Sequence, residues 1–282
     1  MKKVLFTMVF ASLIGAANAQ DMMSKRGVPI LPEEKDWSIG FDAKPVLQYF
    51  GNLASGATAT NRAGVGFLDS MVIVGKYMKD ANTAYRAKVR IGFNSSSQDA
   101  FITDQTSTTT PPANVTDTRK SSGMNISIGG GIQKYRGKGR LKGYYGAEAG
   151  ISLHSNKTTY SYGNALNTDH PDASANSTNF DPSNPNIVGT ARVTENKSGS
   201  TFGVGLRGFI GVEYFFAPKM SVGAEYGWGI MLNTTGEGNI TAEAFDATTG
   251  GVTSTSVKTA GSSSFGIDVD NQNGAIFLNF YF

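Results

Sequence analysis

Residues 201–232 read TFGVGLRGFIGVEYFFAPKMSVGAEYGWGIML, and this stretch decides the fold class. From Phe202 to Phe216 the even positions are apolar except for Gly208, while the odd positions include several glycines together with Arg207 and Glu213. After residues 217–219 the alternation restarts and continues to residue 232. A period of two predicts strands with one apolar and one polar face. We therefore expect a hairpin of two long strands.

The same alternation predicts six further strands, which brings the expected total to eight. They lie within residues 37–44, 68–78, 85–93, 124–133, 141–153 and 276–282. The face of the second of these is ambiguous because Met71 to Val74 is continuously apolar. Pro45 lacks a backbone donor, so the first strand should end or bulge there. Residues 265–269 alternate in the opposite phase to residues 276–282, which predicts a bulge or break near 271–274.

The connections between these strands alternate between short and long. Tight turns are expected near residues 79–82, 136–139 and 217–219, and long polar segments near residues 54–64, 95–122, 155–198 and 234–263. Short turns at one end and long loops at the other are typical of transmembrane β-barrels, with short periplasmic turns and long extracellular loops. The predicted fold is thus all-β, an antiparallel transmembrane β-barrel of eight strands.

Two alternatives to the eight-stranded barrel remain open. Residues 239–245 and 252–257 could form a hairpin, which would give ten strands if it joined the sheet. A soluble sandwich also has alternating strands, but its strands usually have five or six residues, and those predicted here are longer. Aromatic residues near the predicted strand ends favour the membrane barrel, as in an aromatic girdle: Trp37, Tyr77, Tyr85, Tyr214, Phe216 and Trp228.

The first residues have the layout of an export signal. Lys2 and Lys3 precede an apolar run, and Ala17-Asn18-Ala19 is a small-x-small cleavage site. We expect residues 1–19 to be a signal peptide, residues 20–35 a periplasmic tail and residues 36–282 the barrel. Loss of the two lysines would lower the formal net charge of +3 to +1, which gives no electrostatic case for nucleic acid. The lack of cysteine excludes disulfides and thiolate metal sites.

Two stretches carry a resemblance to a known class of protein. Residues 21–43, DMMSKRGVPILPEEKDWSIGFDA, resemble the mature start of outer-membrane barrels from Bacteroidota, and the chain ends in Asn279-Phe280-Tyr281-Phe282. The chain is thus similar to small outer-membrane β-barrel proteins of Gram-negative bacteria. The resemblance implies outer-membrane localisation, contact with outer-membrane lipid, and an assembly signal at Phe280 and Phe282 that the barrel-assembly machinery reads. Such barrels include anchors, pores, adhesins and a few lipid enzymes, so the resemblance does not select a function.

If the apolar faces point to lipid, charged side chains point into the barrel. The predicted inward charges are Asp42, Lys44, Arg86, Lys88, Arg90, Glu148, Arg207, Glu213 and Glu225. An eight-stranded barrel is just wide enough for side chains to fill it, and a buried charge must be paired. We expect a network of ion pairs that closes the lumen; a narrow or gated pore is the alternative, because many inward glycines leave room for water.

Other candidate sites carry weaker signals. Residues 203–208 spell G-x-G-x-x-G, but a dinucleotide site needs a strand-to-helix turn, whereas these glycines lie within a predicted strand. His154 near Ser152 could be the base of a lipid-modifying enzyme at the rim, although an ordinary histidine is the simpler interpretation. His170 and Asp181 lack a recognised metal-ligand spacing. We therefore expect no catalytic residues, cofactor or metal.

The predicted function is structural or interactive. We expect a monomeric barrel with a closed lumen, no nucleic-acid partner, and long loops that could bind an extracellular ligand, because loops on rigid scaffolds often carry binding. The alternative function is a narrow passive pore for small solutes.

Overall fold

The computed structural model describes residues 22–42, 73–183, 185–267 and 275–282. These residues form antiparallel strands joined by turns and loops, and they contain no helix long and apolar enough to cross a membrane. The strands are β1 (Trp37–Asp42), β2 (Ile73–Asp80), β3 (Thr83–Thr103), β4 (Asn114–Arg136), β5 (Leu141–Ser161), β6 (Ile187–Val188), β7 (Ala191–Lys197), β8 (Thr201–Ala217), β9 (Met220–Thr235), β10 (Gly238–Asp246), β11 (Gly251–Thr259), β12 (Ser262–Ile267) and β13 (Ala275–Tyr281).

Eight of the described strands close into an antiparallel ring. Its order is β1, β2, β3, β4, β5, β8, β9 and β13, and β13 pairs back onto β1 with Ser38 opposite Tyr281. The predicted all-β class, antiparallel pairing and number of eight ring strands are therefore confirmed. The ten-stranded alternative is wrong, because β10 and β11 form a hairpin outside the ring.

Strands β12 and β13 both pair with β9. Strand β12 pairs with the second half of β9 (Ile230 to Thr235), whereas β13 pairs with the first half (Met220 to Glu225). Phe265 of β12 and Ile276 of β13 are both exposed. The predicted break near residues 271–274 and the predicted effect of Pro45 lie outside the described residues.

The two ends of the ring differ as predicted. Tight turns join β2 to β3, β4 to β5, and β8 to β9, all at one end, which we call the turn end. Lys219, in the β8–β9 turn, has a φ of 57°, the left-handed conformation that closes this short connection. The opposite end, where the longer connections lie, is called the loop end. The predicted loop at residues 54–64 lies outside the described residues.

Two of the predicted long loops are wrong in extent. Strand β3 continues to Thr103 and β4 begins at Asn114, so most of residues 95–122 is strand. Strand β5 likewise continues to Ser161. The backbone ladder extends unbroken from Thr83 opposite Lys134 to Thr103 opposite Asn114. The apolar alternation ends earlier, because these outer halves carry polar residues on both faces.

The loop end carries a folded extension that we call the crown (residues 94–121, 155–183, 185–198 and 236–261). Strand β5 pairs with β8 as far as His154 and with β7 at residues 157–159, so the sheet divides there. One branch closes the ring and the other continues through β7 and β10 to β11. The β10–β11 hairpin is the one that the sequence predicts in residues 239–257.

Candidate functional site: the charged interior of the ring

Five of the predicted inward charges meet in one layer, which we call the central charge layer. Its members are Arg86, Lys88, Glu148, Arg207 and Glu225. Strand register explains part of this: Glu148 on β5 lies directly opposite Arg207 on β8, although 58 residues separate them in the chain. Arg86 and Lys88 lie on the same face of β3, two positions apart. Four strands thus supply the layer.

The two carboxylates of this layer each bind more than one cation. Glu148 Oε1 lies 2.6 Å from Lys88 Nζ and 3.0 Å from Arg207 Nη1, and Glu148 Oε2 lies 3.4 Å from Arg86 Nε. Glu225 accepts hydrogen bonds of 2.7 Å from both Arg86 Nη1 and Arg207 Nη1. Such shared, charge-assisted bonds are stronger than neutral ones. The layer therefore links β3, β5, β8 and β9 across the interior.

Aromatic and glycine residues fit around these charges. The Arg86 guanidinium carbon lies 4.2 Å from the centroid of the Phe209 ring, which is itself buried. A Cβ at Gly227 would overlap the Arg207 guanidinium, and a Cβ at Gly211 would overlap the Tyr144 ring. Gly211 is therefore required by the close approach of the Tyr144 ring and the Ala224 carbonyl rather than by a turn, whereas a side chain at Gly227 would displace the flexible end of Arg207.

A second cluster lies nearer the turn end, and its centre is Glu213. We call it the turn-end polar cluster (Lys76, Tyr135, Glu213, Ser221, Asn279 and Tyr281). Glu213 is 0% exposed and pairs with Lys76 Nζ at 3.0 Å. The hydroxyls of Tyr135 and Tyr281 each donate to it at 2.8 Å. Asn279 Nδ2 donates to Glu213 Oε1 at 3.0 Å, and Ser221 Oγ donates to the same oxygen.

Several members of this second cluster are missed by the sequence analysis. Lys76 lies on β2, where the continuous apolar run hides the alternation, and both Val74 and Met78 point inward although they are apolar. Tyr135, Phe209 and Phe215 are also inward and buried. The expectation that apolar side chains mark only the outer face is therefore wrong at the turn end.

The remaining predicted inward residues are placed only in part. Arg90 lies on β3 two positions beyond Lys88 toward the loop end and is partly buried. Asp42 is the last residue of β1. Lys44 lies outside the described residues.

The weaker candidates are separate from both clusters. The glycines of residues 203–208 lie within β8, paired with β9, so they do not form a strand-to-helix turn. His154 is exposed and its Nε2 lies 2.9 Å from Asn156 Nδ2. The carbonyl of His170 accepts a hydrogen bond from Asn176 Nδ2. Among the described residues there is no group of three or more side chains that could hold a metal ion.

The crown is organised around two buried polar residues. Arg192 donates to Glu243 at 2.8 Å and to the Asn164 carbonyl at 2.9 Å, and its guanidinium lies 4.4 Å from the Tyr162 ring centroid. Burial raises the pKa of Tyr162 to about 12. Asp117, 0% exposed, accepts hydrogen bonds from the backbone nitrogens of Gly163 and Thr178. The segment after β5 is therefore fixed to the sheet.

Comparison with known proteins adds no assignment. No protein-family model matches the chain, and no curated protein is significantly similar to it.

Proposed function

We propose that this chain is an outer-membrane β-barrel protein of a Gram-negative bacterium, related to those of Bacteroidota, with a closed lumen and a structural or surface-interaction role rather than a catalytic one. One observation carries the proposal: the ring exposes apolar side chains on its outside and encloses paired charges on its inside. This is the reverse of a water-soluble protein, and it matches a barrel whose outer solvent is lipid.

The composition of the outer face of the ring supports the proposal that this face contacts lipid. Large apolar side chains on all eight ring strands are exposed, and a continuous exposed belt of this kind is unusual in a soluble monomer. Examples are Ile39, Phe41, Ile73, Val89, Ile91, Ile128, Ile132, Ile151, Val204, Leu206, Ile210, Val212, Leu232 and Ile276. Trp37, Tyr85, Phe216 and Trp228 are exposed as well, as an aromatic girdle requires.

Strand length is consistent with a barrel that extends beyond the bilayer. A transmembrane strand needs about 9–11 residues, whereas β3, β4 and β5 have 21, 23 and 21. Their polar outer halves would stand in water at the loop end, which we assign to the cell exterior. The turn end would then face the periplasm, after removal of residues 1–19 as a signal peptide.

The interior supports a closed lumen. The central charge layer spans the ring, and the turn-end polar cluster and buried aromatic residues fill the space below it. No step of a reaction is assigned to either cluster, because every carboxylate in them is engaged by cations or hydroxyls. We therefore assign the surface-interaction role to the crown, whose fixed loops would contact an extracellular partner. The barrel itself would be a monomer, and its assembly signal would be Phe280 and Phe282.

The first test measures membrane insertion and conductance. The chain lacking residues 1–19 is refolded in detergent, checked for heat-dependent gel mobility, and added to planar bilayers. We expect heat-modifiable mobility and no conductance steps. Folded protein that stays soluble without detergent would overturn the membrane assignment. Reproducible steps that change in the Glu148→Gln variant would instead support the alternative, a narrow passive pore for small solutes.

A pair of arginine substitutions tests which surface contacts lipid. Ile210 and Val257 are 63% and 59% exposed, but Ile210 lies on ring strand β8, seven residues from its end at the turn, and Val257 lies on crown strand β11. In lipid, Ile210→Arg, near the middle of the membrane span, should lower the free energy of unfolding by about 2–4 kcal/mol. Val257→Arg should change it by less than about 0.5 kcal/mol, as at an ordinary surface site. Urea titration of protein inserted in phosphatidylcholine vesicles measures both, and equal small effects would contradict a lipid-facing ring.

A further inference from the structure

The segment that precedes the ring packs against the turn end of the ring. Residues 22–36 cross the turn end, and Ile30 inserts into the ring, where it is 2% exposed. Its buried cluster contains side chains from inside the ring: Met78, Ala84, Tyr135, Tyr144, Phe209, Phe215 and Tyr281. Leu31 packs against the same cluster. The mouth of the ring is thus filled by side chains that do not belong to ring strands.

Backbone hydrogen bonds attach this segment to two separate parts of the ring. Lys35 N donates to the Met78 carbonyl at 2.8 Å, and Met78 N donates to the Asp36 carbonyl at 2.8 Å, which joins the segment to β2. On the other side, Lys219 N donates to the Ile30 carbonyl at 3.1 Å. The segment therefore extends from β2 to the β8–β9 turn.

Ion pairs also attach this segment to the β8–β9 turn. Lys219 Nζ pairs with Asp36 and lies 3.4 Å from Glu33 Oε2. Lys219 has a left-handed backbone conformation. Its backbone nitrogen donates to the segment, and its carbonyl accepts a hydrogen bond from Tyr281 N at 2.7 Å. One turn residue thus connects the segment to the strand that closes the ring.

From these contacts we infer that residues 22–36 are a lid that seals the turn end of the ring, so that the interior is open only at the loop end. The lid is a second closure, separate from the central charge layer, and any solute that crossed the ring would have to displace both. The inference depends on the ring and not on its location in a membrane. It would therefore stand or fall independently of the proposed function.

The absence of native cysteine allows a direct test by thiol labelling. Ala84 is 0% exposed in the cluster beneath Ile30, so Ala84→Cys places one thiol behind the lid. Protein refolded in detergent is treated with a quaternary-ammonium methanethiosulfonate. Deletion of residues 20–32 should raise the labelling rate by about 10- to 100-fold, the factor expected if burial of one isoleucine side chain holds the lid shut.

Point variants within the lid separate its closure from a general effect of the segment. Ile30→Asp should accelerate labelling of the Ala84→Cys thiol, whereas Val28→Asp, at a residue that is 42% exposed, should leave the rate unchanged. A thiol at Ser152→Cys, on the loop-end side of the central charge layer, should label at the same rate with or without the lid. Unchanged labelling behind the lid after the deletion, or equal acceleration at both thiols, would overturn the inference.

Discussion

The Glu213→Gln variant is expected to lose about 3–5 kcal/mol of unfolding free energy, the range measured when one partner of a buried ion pair is removed. The substitution preserves the shape of the side chain but leaves the Lys76 charge buried with a weaker, neutral partner. It also converts an oxygen that accepts several hydrogen bonds into an amide that must donate. The expected loss is large because Glu213 is fully buried.

Urea titration followed by tryptophan fluorescence measures this change, since the two tryptophans, Trp37 and Trp228, both lie on ring strands. The matched control is Glu237→Gln. Its ion pair with Lys258 has a similar N–O distance, 2.7 Å, but both side chains are more than half exposed. An exposed pair contributes about 0–1 kcal/mol. Equal losses in the two variants would show that burial of the Glu213 cluster is not what stabilises the ring.

A double substitution separates the cost of the orphaned charge from the value of the pair. Replacing Lys76 with Met and Glu213 with Leu removes both charges, and buried pairs replaced by apolar residues are often neutral in stability. We expect this double variant to be more stable than Glu213→Gln alone. The same titration measures it, and a double variant as unstable as the single one would mean that the tyrosine and asparagine hydrogen bonds to Glu213 dominate.

Sequence periodicity predicts the ring well because its strands separate two different environments. Along β8, an apolar outer face alternates with an inner face that includes Arg207 and Glu213, and this contrast is readable from the residues alone. In the outer half of β3 the contrast disappears, because residues 95–99 are polar on both faces. The backbone ladder continues there without any hydrophobic signal, so periodicity alone ends the strand too early.

The interior contacts are harder to predict because they depend on register between strands distant in sequence. The sequence predicts that the residues of the central charge layer point inward. The pairing of Glu148 with Arg207 cannot be predicted without knowing that β5 lies beside β8 in the sheet, although β6 and β7 come between them in the chain. Ile30 is harder still. A single isoleucine in a short segment rich in charge and proline has no periodic pattern, and only the mouth of the folded ring gives it a place to be buried.

Arg192→Met is expected to destabilise the crown, so that it opens more often, while leaving the ring folded. The guanidinium binds the Glu243 carboxylate, the Asn164 carbonyl and Ser177 Oγ. Its loss would leave these acceptors without their donor, and each hydrogen bond to a charged group contributes about 1.5–3 kcal/mol. Methionine preserves much of the apolar stem, so the effect reports the lost polar contacts. Local unfolding of a few elements costs less than global unfolding, so the ring need not follow.

Limited chymotrypsin digestion measures this local unfolding, because Tyr162, Leu166 and Phe180 lie in the segment that Arg192 holds. Cleavage there follows the population of the opened crown, so we expect it to accelerate by at least about tenfold, the factor that 1.4 kcal/mol produces. The control is Lys157→Met, which removes a crown ion pair with Glu195 whose side chains are 43% and 33% exposed. That variant should be cleaved at nearly the rate of the unmodified chain. Tryptophan fluorescence should show an intact ring in both variants, and equal cleavage of the two would mean that the crown does not depend on the buried arginine.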